Sequence, residues 1–167
     1  NNLLRGNYVG TTVSGMTALA NGNFGIVLGG SNNAIVGGTG VLRGVISGNA
    51  NAGVLISGGV GNSVSGSMIG LAADGSTVVA NGGSGVIIGG GALGTGVGVL
   101  GGNVISGNLG DGVTVSGSMQ SYIRGNFIGT VASGLAAAAN AGHGVLVTDD
   151  ATGVLVGSPI AQLADRN

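Results

Sequence analysis

Arg5-Gly6-Asn7-Tyr8-Val9-Gly10-Thr11 returns as Ser65-Gly66-Ser67-Met68-Ile69-Gly70-Leu71, and again as Arg124-Gly125-Asn126-Phe127-Ile128-Gly129-Thr130. The offsets are 60 and 59 residues. Val45-Ile46-Ser47-Gly48-Asn49 likewise returns 59 residues later as Val104-Ile105-Ser106-Gly107-Asn108. A shorter motif divides this period. A glycine leads a three-residue strand core at Gly25-Ile26-Val27-Leu28, Gly53-Val54-Leu55-Ile56, Gly85-Val86-Ile87-Ile88, Gly112-Val113-Thr114-Val115 and Gly144-Val145-Leu146-Val147. The spacings, 28, 32, 27 and 32 residues, alternate between short and long. A fixed period of this size is the signature of a solenoid.

The spacing divides the chain into a partial coil 1–24, coils 25–52, 53–84, 85–111 and 112–143, and a partial coil 144–167. Each full coil carries three short β-prone runs separated by Gly, Asn or Ser. Runs this short cannot form hairpins of useful length. They can pair in parallel with the equivalent run one coil later, each coil rising about 4.8 Å. The expected fold is all-β: a single-stranded parallel β-helix of about six coils, counting the partial ends, with three strands per coil.

Side-chain alternation sets the inward positions. In the Gly-led runs the first and third residues are always aliphatic, and the one polar residue, Thr114, stands in the middle. The first and third therefore face inward: Ile26/Leu28, Val54/Ile56, Val86/Ile88, Val113/Val115 and Val145/Val147. From the other runs, Leu4, Val9, Ile46, Val64, Ile69, Ile105, Ile123 and Ile128 join them. Asn at the corners tolerates the left-handed region, and its amide can bond an asparagine of the next coil. Asn49 with Asn108 and Asn7 with Asn126 are the candidates. The long coils carry loops at Thr11–Asn23, Leu71–Ser84 and Thr130–His143, which should stack along one edge on alternate coils.

Composition removes whole classes of function. Of 167 residues 41 are glycine, and only 5% are charged: four Arg and five Asp, with no Lys or Glu. That leaves no basic footprint for nucleic acid. One proline excludes a collagen helix. A hydrophobic content of 43% excludes a disordered chain. No apolar run reaches the length of a membrane span. The absence of cysteine excludes a disulfide framework but does not settle the compartment.

Val-Ile-Ser-Gly-Asn, Gly-Asn-Phe-Ile-Gly-Thr and Gly-Val-x-Ile resemble the repeats of right-handed parallel β-helix proteins with the pectate-lyase-like fold, found among secreted and surface proteins of bacteria. The resemblance covers essentially the whole chain. It implies right-handed coils and a secreted or cell-surface location, but no single activity, because the fold serves lyases, hydrolases, adhesins and passenger domains alike. Its enzymes suggest clustered carboxylates, a calcium site or a catalytic arginine. Here Asp74, Asp111, Asp149, Asp150 and Asp165 never share a column on adjacent coils, so neither paired-carboxylate catalysis nor a calcium cage is expected. No metal or cofactor is expected either.

Four features remain as candidates. Asp111 and His143 stand in one column on neighbouring coils, and such a pair can orient an imidazole as a base; the plainer alternative is a surface ion pair. Arg5 and Arg124 share a slot, with Ser65 between them, and could contact an acidic glycan or simply keep the surface soluble. Tyr8, Met68 and Phe127 share the next outward slot; Tyr8 and Phe127 are candidate sugar platforms, and covering a loop is the alternative. Val27, Leu55, Ile87, Thr114 and Leu146 form an outward column that is aliphatic in four of five places. Such a column should not face free water. A loop of the same chain, a second copy or a neighbouring solenoid segment would cover it. Neither end carries an obvious polar or amphipathic cap, and Arg166-Asn167 aligns just before an expected Val-Ile-Ser-Gly-Asn, so a segment of a longer protein, or a piece whose ends stack on other copies, is expected. The leading reading is a self-associating structural module, such as a fibre, sheath or adhesin stalk, with partners of its own kind. A polysaccharide-binding or polysaccharide-cleaving β-helix is the alternative. An ice-binding surface would need a regular threonine array, which the single Thr114 does not supply.

Overall fold

The computed structural model describes residues 1–38, 43–98 and 101–157. Arg166, Asn167 and Asp165 lie outside them, as does the second half of the last expected coil. The described residues form a right-handed parallel β-helix of three sheets. The first sheet stacks β1 (Leu3–Arg5), β4 (Ala34–Val36), β7 (Ser63–Ser65), β10 (Gly96–Val97), β13 (Tyr122–Ile123) and β16 (Leu155–Val156). The second stacks β2 (Tyr8–Val9), β5 (Gly44–Ile46), β8 (Ser67–Ile69), β11 (Val104–Ile105) and β14 (Phe127–Ile128). The third stacks the Gly-led runs as β3 (Ile26–Leu28), β6 (Val54–Ser57), β9 (Val86–Gly89), β12 (Val113–Ser116) and β15 (Val145–Thr148).

Register follows the repeat. Val54 pairs with Val86, Leu55 with Ile87 and Ile56 with Ile88. Tyr8, Val45, Met68, Val104 and Phe127 form one column of the second sheet. The expected inward aliphatics form one continuous core, with Val54, Ile56, Val64, Ile69, Val86, Ile88, Ile105, Val113, Val115 and Ile123 fully buried. Leu4, Val9, Ile128 and Val145 pack against it from the terminal coils. Val147 departs from the expectation: it is 46% exposed, because β15 is the last described strand of its sheet and nothing described lies over it.

The corners are held by buried asparagines in a different pairing from the one the sequence suggested. Asn49 does not reach Asn108; Asn81 lies between them. The Nδ2 of Asn21 donates to Asn49 Oδ1 (2.8 Å), Asn49 to Asn81 (2.8 Å), Asn81 to Asn108 (2.9 Å) and Asn108 to Asn140 (2.9 Å). The Nδ2 groups of Asn81, Asn108 and Asn140 also cap the carbonyls of Ile46, Ile69 and Ile105. Asn126 is bonded by Asn103 (2.9 Å) and not by Asn7, which stands four coils away. A third run joins Asn2, Asn33 and Asn62. The amides of Asn33, Asn62, Asn81, Asn103, Asn108, Asn126 and Asn140 satisfy backbone groups that the tight corners take out of the sheets, which a buried corner requires.

Candidate functional site

The loops at 11–23, 71–84 and 130–143 close on themselves through the bridges Thr11–Ala18, Leu71–Val78 and Thr130–Ala137. They lie on one another: Ala73 N donates to Gly15 O (3.0 Å) and Ala132 N to Gly75 O (2.8 Å). They cover the outer face of the second sheet, where Val45, Met68, Leu71, Val104 and Ala138 form a small second core. Tyr8, Met68 and Phe127 sit under the loop glycines Gly15, Gly75 and Gly134. The structure therefore uses the outward aromatic slot as a floor for the loops. Tyr8 and Phe127 keep one exposed flank each.

The middle loop turns on a carboxylate. Asp74 accepts from Ser76 N (2.8 Å), Thr77 N (2.9 Å) and Thr77 Oγ1 (2.6 Å). The Thr77 hydroxyl first, and then the two amides, hold its pKa down to about 2. In the sibling loops Ser14 and Ser133 bond the amides of Met16 and Leu135 from the same slot. In Thr77→Val the carboxyl should titrate closer to the ordinary aspartate range. The Asp74 side-chain carbon shift followed by NMR against pH reads this directly. An unchanged midpoint would remove Thr77 from the cause.

Asp111 and His143 meet as expected. Asp111 Oδ1 accepts the His143 backbone N–H (2.7 Å) and lies 2.9 Å from Nδ1 of its ring. Oδ2 accepts from Thr114 Oγ1 (2.9 Å), which in turn is bonded by Ser84 Oγ (3.0 Å). The Asp111 N–H points to Ser84 Oγ (3.3 Å). Ser84 and Thr114 thus enter a network that the sequence reading confined to Asp111 and His143. Burial pushes the Asp111 carboxyl up. The hydrogen bonds from the His143 amide and ring and from Thr114 outweigh burial and hold it below the ordinary value. A depressed carboxyl stabilises the fold above the ordinary carboxylate range, and that contribution is lost as pH falls through the folded-state value.

The order of the column limits the chemistry. Ser84, Asp111 and His143 follow one another on successive coils, so the carboxylate separates the hydroxyl from the imidazole. His143 cannot draw a proton from Ser84. What remains is an Asp-oriented imidazole whose side chain is 69% exposed, against 15% for Asp111. Among the described residues no three acidic, His or Cys side chains gather as a metal site.

Arg5 is exposed beside Val36 and Ser65 in its column. Arg124 follows β13 in the same slot and lies over the Tyr122 ring, 5.3 Å from its centroid. Arg43 Nη1 reaches the Met68 sulfur, at 3.7 Å. The outward column of the third sheet is left open by the loops. Val27 is 52% exposed, Leu55 and Ile87 are half-buried between their in-register neighbours, and Leu146 is half-buried beside Thr114. Thr114 alone is committed, to Asp111 and Ser84. No helix among the described residues is long and apolar enough to cross a membrane. In comparisons with known proteins, no family model, no curated protein and no solved structure matches the chain.

Proposed function

We propose that the chain is a structural and interaction module: a stretch of an extracellular bacterial solenoid that builds a fibre, sheath or adhesin stalk by associating with its own kind. The observation that carries this reading is the outer face of the third sheet. Solvent-facing strand positions are ordinarily polar, yet Val27, Leu55, Ile87 and Leu146 line up there. Contiguous aliphatics left open by the chain's own loops mark a contact face. The rest of the surface supports the reading by its poverty in reactive groups. Light scattering and electron microscopy of purified material should reveal polymers or lateral bundles as concentration rises. Particles that remain monomeric at high concentration would refute it.

The Asp111–His143 pair favours a second reading, in which the face binds or cleaves a polysaccharide. An imidazole that donates a hydrogen bond from Nδ1–H to Asp111 leaves the Nε2 lone pair for a substrate hydroxyl or water. Degradation of a polysaccharide that disappears in both Asp111→Ala and His143→Ala would support it, while retention without turnover would mark a binding module.

A further inference from the structure

We propose that copies of this chain associate edge to face, the arginine-bearing corner of one seating on the outer face of the third sheet of the next. This rests on the self-association reading above and names its surfaces and symmetry. The three described arginines all lie at the corner between the first and second sheets: Arg5 ends β1, Arg43 precedes β5 and Arg124 follows β13. Tyr122 stands exposed at the same corner, under Arg124. Around a three-sided coil this corner lies opposite the third sheet.

The third sheet carries the opposite sign. Asp111 borders it on one side, and the exposed Asp149 and Asp150 border it on the other, just after β15. Among the described residues no arginine pairs with a carboxylate of its own chain; the one ion pair is His143 with Asp111. Among the described residues the arginines, Asp149 and Asp150 therefore form no ion pair, while Asp111 is already engaged by His143 and Thr114. Between the acidic borders run Leu55, Ile87 and Leu146, able to receive an aromatic and the apolar stems of arginines. Arginine and tyrosine are the residues that most often anchor interfaces. Two third-sheet faces brought together would juxtapose carboxylate with carboxylate, without an arginine on either. Corner against face matches charge on both sides. The contact joins two different surfaces and is heterologous; copies related by translation do not close, and repetition then builds rows of parallel rods.

Sedimentation velocity on two variants tests this. The corner variant carries Arg5→Gln and Arg124→Gln. The face variant carries Leu55→Thr, Ile87→Thr, Asp149→Asn and Asp150→Asn; threonine already occupies this column at Thr114, and asparagine suits the positive φ of both aspartates. Far-UV circular dichroism checks that each folds. The unaltered chain should form an open series of oligomers. Each variant alone should associate about tenfold or more weakly. Their equimolar mixture should stop at a one-to-one dimer, since each supplies the surface the other lacks. A corner variant that assembles like the unaltered chain, or a mixture that stays monomeric, overturns edge-to-face packing and leaves self-association standing. An unaltered chain that never associates overturns self-association itself. Should either variant misfold, salt decides: raising ionic strength from about 0.01 M to 1 M should weaken assembly of the unaltered chain by about tenfold or more, and salt-insensitive assembly overturns the proposal.

Discussion

Asn81→Ala should cost about 4–6 kcal/mol, because it strips partners from several buried groups at about 1–3 kcal/mol each. Asn81 is fully buried. Its Oδ1 receives both the backbone N–H of Asn49 (3.1 Å) and the Asn49 side chain (2.8 Å). Its Nδ2 serves Ile46 O (3.0 Å) and Asn108 Oδ1 (2.9 Å). Alanine leaves all four without that partner, in a corner too crowded to rebuild. Asn81→Asp should be no better, since it keeps the acceptor but loses the donor and buries a charge. Asn21→Ala, at the exposed start of the same run, should cost about 1 kcal/mol, a single partly exposed bond. Urea unfolding followed by circular dichroism measures all three. Asn49→Ala combined with Asn81→Ala should cost less than the two separately, because they share bonds. A cost below about 1 kcal/mol for Asn81→Ala would mean that the amide run is incidental.

Gly70→Ala should be as damaging, by about 3 kcal/mol or more, through strain and crowding together. Gly70 sits at φ +94°, where a side chain is strained, and an added Cβ would run into Ser106 O and the Asn108 amide. Its N–H is engaged by Ser47 Oγ (2.9 Å), so the corner cannot swing away without breaking that bond. Gly129 offers a matched control. It holds the same slot two coils on, at φ +80°, with nothing among the described residues within 4 Å of an added Cβ. Gly129→Ala should therefore cost only the backbone strain, about 1–2 kcal/mol. The difference between the two melting shifts isolates crowding from conformation. Equal shifts would show that the neighbouring coil yields freely.

The stacking of the coils was legible because it rests on spacing alone. Five Gly-led aliphatic triplets at an alternating interval can bury their first and third residues only by stacking in parallel, and the observed register obeys that constraint. The asparagine run was half legible. Asn21, Asn81 and Asn140 read as loop ends, and Asn49 and Asn108 as corners. Yet each stands four residues before a leading glycine, at 25, 53, 85, 112 and 144. That common offset unites them; loop length had concealed it. The Asp111–His143 contact was legible because both occupy the residue before such a glycine. Ser84 shares that offset too, whereas Thr114 enters through a side-chain direction that spacing does not encode. Which face the loops would cover was legible only through Tyr8, Met68 and Phe127, three apolar residues on the coils that carry the loops, since the residues at either end of a loop say nothing about the side to which it folds. The loops chose the second sheet, over Tyr8, Met68 and Phe127, and left Val27, Leu55, Ile87 and Leu146 open.

The loop-on-loop contacts join coils two apart, through Ala73 to Gly15 and Ala132 to Gly75, while the plain coils between them put Val45 and Val104 beneath the same cover. Excising one coil would force two loops into the height of a single step and collapse that roof. Excising a consecutive pair would leave every contact with an equivalent replacement. The rod can therefore be lengthened or shortened only in even increments, and any duplication or deletion that nature or an engineer makes in it should come as a two-turn cassette.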